Sequence, residues 1–145
     1  MHITRSNDIV IEIFILIMRH FLLFSIKMSH MKTLEKNRYP KTVVDILGGI
    51  HSTGNPIRNV YDFVLLARDG LAKSSVESVI SFTGMSKRRF AEDILFMSVR
   101  TLERKQADDK FDQKTSSSVI EVAKVLAHAY AVFNDKEKVE SWLSN

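Results

Sequence analysis

The run from Val119 to Phe133, VIEVAKVLAHAYAVF, constrains the fold of this chain more than any other stretch. Val119, Val122, Leu126, Ala129 and Phe133 recur at alternating spacings of three and four, the period of an α-helix. Ile120, Ala123, Ala127 and Tyr130 widen the apolar surface well beyond one stripe. A helix apolar on most sides must be buried on most sides. It is therefore either the central helix of a bundle or a dimer helix, and the reading adopted gives Val119, Val122, Leu126, Ala129 and Phe133 to a homodimer interface. Ser118 with Glu121 has the form of a capping box that opens it.

The rest of the chain is punctuated for short helices. Gly (5) and Pro (2) are scarce among 145 residues and alternating strands are hard to find, so the expected class is all-α, a compact helical bundle. Pro40 suits the first turn of a helix ending at Gly48 and Gly49. Val60, Phe63, Val64 and Ala67 form one apolar stripe of a helix that Gly70 ends. Ser74 and Glu77 predict a capping box for the next helix, with Val76, Val79 and Ile80 inward and Gly84 at its close. A last helix starts near Asn134 and Glu137 and turns Val139, Trp142 and Leu143 to one side. The expected organisation is a hydrophobic N-terminal extension over 1–30, a helical lead-in over 31–59, and a helical domain over 60–145.

Ser86 to Lys105, SKRRFAEDILFMSVRTLERK, reads as two short helices joined by a turn, a helix-turn-helix. Ser86 caps the first, which buries Phe90, Ala91 and Ile94; Ser98 caps the second, with Val99 and Leu102 inward. Six Lys and Arg face three acids within this stretch, against a net charge of +4 for the whole chain. Counterion release from phosphates responds to such local concentrations of charge. The candidate DNA-binding residues are Lys87, Arg88, Arg89, Ser98, Arg100, Thr101, Arg104 and Lys105. Arginine can grip guanine O6 and N7 bidentately, while threonine and lysine suit phosphate. Lys87, Arg88 and Arg89 are assigned to backbone positioning, and the competing reading of all these residues is a solvated helix face.

Other chemistry finds little support. A sequence pI of 9.4 admits nucleic acid or an anionic membrane as partner. The absence of cysteine excludes disulfides, thiolate catalysis and cysteine-based zinc sites, and it is compatible with a cytoplasmic protein. The histidines His2, His20, His30, His51 and His128 have no ligand spacing, Gly48, Gly49 and Gly54 are followed by no phosphate-loop lysine, and no set of residues supports catalysis. No metal, cofactor or enzymatic activity is expected. Ile9 to Ile26 is nearly continuous hydrocarbon at the lower length limit of a membrane span, yet it carries Glu12, Arg19 and His20. A carboxylate and a guanidinium inside a span are penalised by roughly 2.5–3.5 kcal/mol each. The segment reads as upstream sequence before a start at Met28 or Met31, as a membrane anchor, or as a helix packed on the domain. The first is the expectation.

From about Phe63 to Leu143 the order of features resembles the Xre/MbcA/ParS group of bacterial antitoxins, which pair with RES-domain toxins. The resemblance is carried by Gly70-Leu71, by Gly84-Met85-Ser86 opening the basic pair, and by Phe90-Ala91 within it. Ser98-Val99-Arg100-Thr101-Leu102-Glu103-Arg104 and Ala131-Val132-Phe133 followed by Trp142-Leu143 complete it. It implies a helical antitoxin that dimerises, binds double-stranded DNA at its own promoter, and neutralises a toxin that degrades NAD. Leu95 stands where many helix-turn-helix proteins have glycine, and Ser98 lies about one residue beyond the commonest spacing. Family members usually continue past the tryptophan with a toxin-engaging segment, whereas this sequence ends at Asn145. The expectation is a form that folds and binds DNA but protects poorly against the toxin. Two further readings stand beside it: a helical protein–protein interaction module without DNA binding, and a membrane-tethered small regulator.

Overall fold

The computed structural model describes Arg38 to Ser144, and the stretch Ile9 to Ile26 lies outside the described residues. The described chain is mostly helical and contains no strand. Its helices are α1 (Arg38–Ile46), α2 (Ile50–Thr53), α3 (Val60–Asp69), α4 (Lys73–Thr83), α5 (Lys87–Arg89), α6 (Val99–Arg104), α7 (Gln113–Phe133) and α8 (Lys136–Ser144). α5 runs straight on into a π-helical turn, Phe90–Ile94. None of these helices is long and apolar enough to cross a membrane.

α7 is the centre of the bundle, and α1, α3, α4 and α8 all pack against it. Val119, Ile120, Ala123, Leu126, Ala127 and Ala129 are buried there among Val43, Phe63, Val76, Val79 and Val139. The homodimer interface expected on this helix is therefore corrected. Val119, Leu126 and Ala129 are covered by the chain's own helices, and the partly buried Val122 and Phe133 also pack on the core. Of the two roles open to such a helix, this one is central. The lead-in expected over 31–59 is also revised for its described part, because Val43, Ile46 and Leu47 of α1 belong to the same core as the later helices.

Two helix starts differ from the sequence pattern. α7 begins at Gln113, five residues before Ser118, with Asp112 as its cap: the carboxylate accepts from the Thr115 N–H at 2.7 Å. The Ser118 hydroxyl instead donates back to the Lys114 carbonyl at 3.2 Å. α4 has no side-chain cap, so Ser74 and Glu77 form no capping box. The amides of Lys73 and Ser74 donate to the main-chain oxygens of Asp109 and Ala107, at 3.0 and 2.9 Å.

Those bonds belong to a clasp between residues 70–74 and the loop that follows α6. Ala72 and Lys110 make an isolated antiparallel bridge, and the Phe111 amide donates to the Leu71 oxygen at 2.9 Å. The Leu71 amide in turn donates to the buried Ser116 hydroxyl at 2.9 Å. Gly70 has a φ of +86°, and a Cβ there would collide with the Phe111 carbonyl. Only glycine satisfies both demands.

α3 differs most from the sequence reading. Phe63, Leu66 and Ala67 face the core, while Val60 and Val64, two members of the expected inward stripe, are exposed. The helix is apolar on two sides, and its periodicity alone could not say which side the bundle would take.

Candidate nucleic-acid interface

The two helices of the basic stretch form where the sequence places them. Ser86 caps α5 by accepting from the Arg89 amide at 3.2 Å, and Ser98 caps α6 by accepting from the Thr101 amide at 3.2 Å. Phe90, Ala91, Leu95 and Leu102 are buried in the common core, and Ile94 and Val99 pack against it. The pair is thus a rigid projection of the bundle, with its polar side chains outward.

Its turn explains the departure in spacing. The Leu95 amide donates to the Phe90 oxygen at 3.2 Å, and the Met97 amide donates to the Ala91 oxygen at 3.0 Å. Both bonds span one residue more than an α-helix and its usual left-handed ending would require. The π-helical turn absorbs the extra residue, so the left-handed position moves from Leu95 to Phe96, whose φ is +52°. Leu95 keeps a helical conformation and a buried side chain. Phe96 is 69% exposed.

The candidate cations divide by what holds them. Lys87 donates to the Glu77 carboxylate of α4 at 2.9 Å, and this hydrogen bond raises its pKa, with the charge of Glu103 adding to it. Arg89 pairs with Asp93 at 3.5 Å. Lys105 turns back along its own loop, donating to the Lys110 carbonyl at 3.0 Å with its ammonium 4.8 Å from the centre of the Phe111 ring. The hydroxyls of Ser98 and Thr101 lie 2.9 Å apart and bond to one another. Arg88, Arg100 and Arg104 are exposed, and their guanidinium groups have no partner among the described residues.

Of the eight candidate residues, three are thus ready to grip an anion. Lys87 and Arg89 would first have to leave a carboxylate. Lys105 holds the loop after α6, and Ser98 and Thr101 hold the start of that helix. All eight lie on or directly beside α5 and α6, while His128, the histidine of the apolar helix, stacks on Tyr39 at 4.4 Å at the core's edge.

Two side chains outside the basic stretch position it. The Lys73 ammonium donates to the main-chain oxygens of Glu103 at 3.2 Å and Lys105 at 2.8 Å, neutralising the carbonyl end of α6. Glu77 lies 3.9 Å from Lys73 and 2.9 Å from Lys87. One signal for Lys73 was present in the sequence: a lysine in the first turn of a helix opposes that helix's own dipole and calls for another use.

Comparison of the chain with protein-family models, with curated proteins and with solved structures gives no match.

Proposed function

We propose that this chain is a DNA-binding transcriptional regulator of the antitoxin type, using α6 as the helix that enters the major groove. The observation that carries this reading is the state of Arg100 and Arg104. They are two exposed guanidiniums, unpaired among the described residues, on a short helix whose inner residue, Leu102, is fully buried and whose two ends are fixed by Ser98 and Lys73. A helix held at both ends aims its outward side chains without having to be ordered on binding. Arg100 is assigned to a base edge, and Arg104 and Arg88 to the flanking backbone.

The test compares a selected binding sequence with random duplex at several salt concentrations. Arg100→Ala is expected to weaken the specific complex by roughly 1–3 kcal/mol and to relax preference at one base pair. Arg88→Ala is expected to weaken both duplexes alike and to flatten the salt slope by about one unit. Equal losses for both variants on both duplexes would refute the assignment of roles.

The antitoxin half of the proposal rests on the residue resemblance, chiefly Ser98 to Arg104 with Phe133, Trp142 and Leu143. It assigns a RES-domain toxin as the protein partner and the cytoplasm as the place of action. Co-expression with such a toxin, following growth and cellular NAD, tests it. Cells that lose NAD equally with and without the chain would remove the toxin from the proposal and leave the DNA reading standing.

A further inference from the structure

Phe96 is the most exposed large apolar side chain among the described residues, and, with Asn134, one of two non-glycine residues there with a positive φ. The chain is tied down on both sides of it. Leu95 is buried, Met97 packs on the core, and the amides of these two residues donate to the Phe90 and Ala91 oxygens. A rigid turn therefore holds the ring out from the bundle. Two local costs coincide at this residue, a left-handed backbone and an apolar ring in water, and glycine would remove both. Strain of this kind collects where a side chain is presented to a ligand.

Its place in the motif points to the ligand. Many helix-turn-helix proteins have glycine at the left-handed position of this turn; here that position carries a ring, two residues ahead of the Ser98 cap of α6. Along the chain it stands between Arg88 and Arg100, both exposed and unpaired among the described residues. A wholly apolar partner surface would strand those guanidiniums away from water. One ring also offers too little apolar area to anchor the chain on a lipid surface. A polyanion that carries isolated apolar groups satisfies both the cations and the ring.

We propose that Phe96 reads the 5-methyl group of a pyrimidine in the major groove, at a position beside the one assigned to Arg100. This rests on the DNA reading of α6. A phenyl ring has neither donor nor acceptor, so the hydrogen-bonding pattern of the base edges is invisible to it. The apolar group that groove presents is the 5-methyl of thymine, which methylated cytosine shares and uracil lacks, and phenylalanine against that methyl is a regular base contact. The N-terminal residues of a recognition helix face base edges, and Phe96 immediately precedes them. Ring against methyl takes both out of water. Because the turn is already fixed, the ring gives up little freedom on binding. Arg100 thus reads by hydrogen bonds and Phe96 by apolar contact, from two ends of one short segment.

The test uses the full-length protein and a duplex selected from a random pool. Each thymine of the selected site is replaced in turn by deoxyuridine, which deletes one methyl and leaves every hydrogen bond in place. At one such position the wild type is expected to bind about fourfold more weakly, as for the loss of one buried methyl. Phe96→Gly, which suits the left-handed backbone, should bind the thymine and uracil duplexes equally there, and Phe96→Leu should keep part of the preference. Circular dichroism of both variants should match the wild type, because the ring is exposed. Methylating each cytosine of the site in turn separates the two sources of the group. A gain in affinity that Phe96→Gly abolishes names methylcytosine, and a loss confined to uracil names thymine. Uracil and methylcytosine effects that are the same in wild type and Phe96→Gly would overturn the inference and leave the DNA reading standing. So would equal losses by Phe96→Gly on selected and random duplex, which would put the ring on the sugar–phosphate backbone. A folded wild type that binds no duplex at any salt concentration would remove both.

Discussion

Lys73 in the first turn of α4 donates to the main-chain oxygen of Lys105, 2.8 Å away, immediately after the last residue of α6. The same ammonium reaches the Glu103 oxygen at 3.2 Å. A six-residue helix cannot hold its shape by its own hydrogen bonds. α6 is held instead by Ser98 at one end, by Leu102 beneath, and by a lysine from another helix at the other end. Lys73→Met keeps the aliphatic stem and removes the donor. It is expected to lower stability by about 1.5–3 kcal/mol in urea unfolding, as for other hydrogen bonds to charged groups. On the DNA-binding proposal, specific binding should fall by more than non-specific binding, because the helix loses aim. Unchanged discrimination between selected and random duplex would show that α6 is held without Lys73.

Phe96 occupies a left-handed backbone position, at φ +52°, with most of its ring in solvent. A side chain in that region is disfavoured by roughly 1–2 kcal/mol, and glycine is not. Phe96→Gly is therefore expected to raise the urea midpoint with little change in slope, a gain of up to about 1 kcal/mol once the greater freedom of glycine in the unfolded chain is set against it. A lowered midpoint would show that the ring contributes contacts worth more than the strain.

Tyr39 begins the packed part of the chain, stacking on His128 and directing its hydroxyl at the Lys124 oxygen, 3.5 Å away. Burial, with the charge of Glu121 adding to it, pushes its pKa up to about 12 from an ordinary 10.0. The raised value favours the protonated phenol in the folded state, so its contribution is fully present below pH 10 and is lost as the pH climbs from there through about 12. Tyrosinate absorbance should show one of the three tyrosines titrating late, and stability should fall across that interval. Tyr39→Phe is expected to remove the late step and flatten the decline. A late step that survives the substitution would show that it does not come from Tyr39.

What was legible in the sequence was set by local chemistry. The Ser86 and Ser98 caps and the inward Phe90, Ala91 and Leu102 follow from spacing alone, and the structure has them in place. The start of α7 was misread because two residue types compete for one role. A serine followed by a glutamate imitates a capping box, while Asp112 performs the capping and the helix runs on through Ser118. The outward side of α3 and the pairing of Lys87 with Glu77 depend on which helices become neighbours, and no local pattern carries that.

The two candidate caps of α7 can be told apart by substitution. Asp112→Ala should destabilise the protein by about 1 kcal/mol and Ser118→Ala by little, since only the first leaves amides of the helix start without their acceptor. Hydrogen bonding from Thr115 lowers the Asp112 pKa below 3.8, so its stabilisation is present above that pH and lost as the pH falls through the lowered value. Asp112→Asn should keep most of the stability and lose that acid sensitivity. Equal effects of the two alanine variants would return the helix start to Ser118.

On the DNA-binding proposal, Glu77 sets how much of the basic surface is available to a polyanion. It holds Lys87 at 2.9 Å, and phosphate must displace that carboxylate before Lys87 can contribute. Glu77→Gln removes the competing charge and leaves a side chain of the same size. The prediction is tighter binding to random duplex, with a salt slope steeper by about one unit, as one more cation meets a phosphate. Discrimination between selected and random duplex should stay unchanged, because non-specific complexes gain as much as specific ones. In the double variant Glu77→Gln, Lys87→Gln, the slope should return to the wild-type value, since an engaged lysine and an absent one contribute alike. Glu77 also lies 3.9 Å from Lys73, so the control is the circular dichroism and urea midpoint of the same variants. If Glu77→Gln weakens binding while the fold is unchanged, the carboxylate is orienting Lys87 toward the DNA and is no competitor for it.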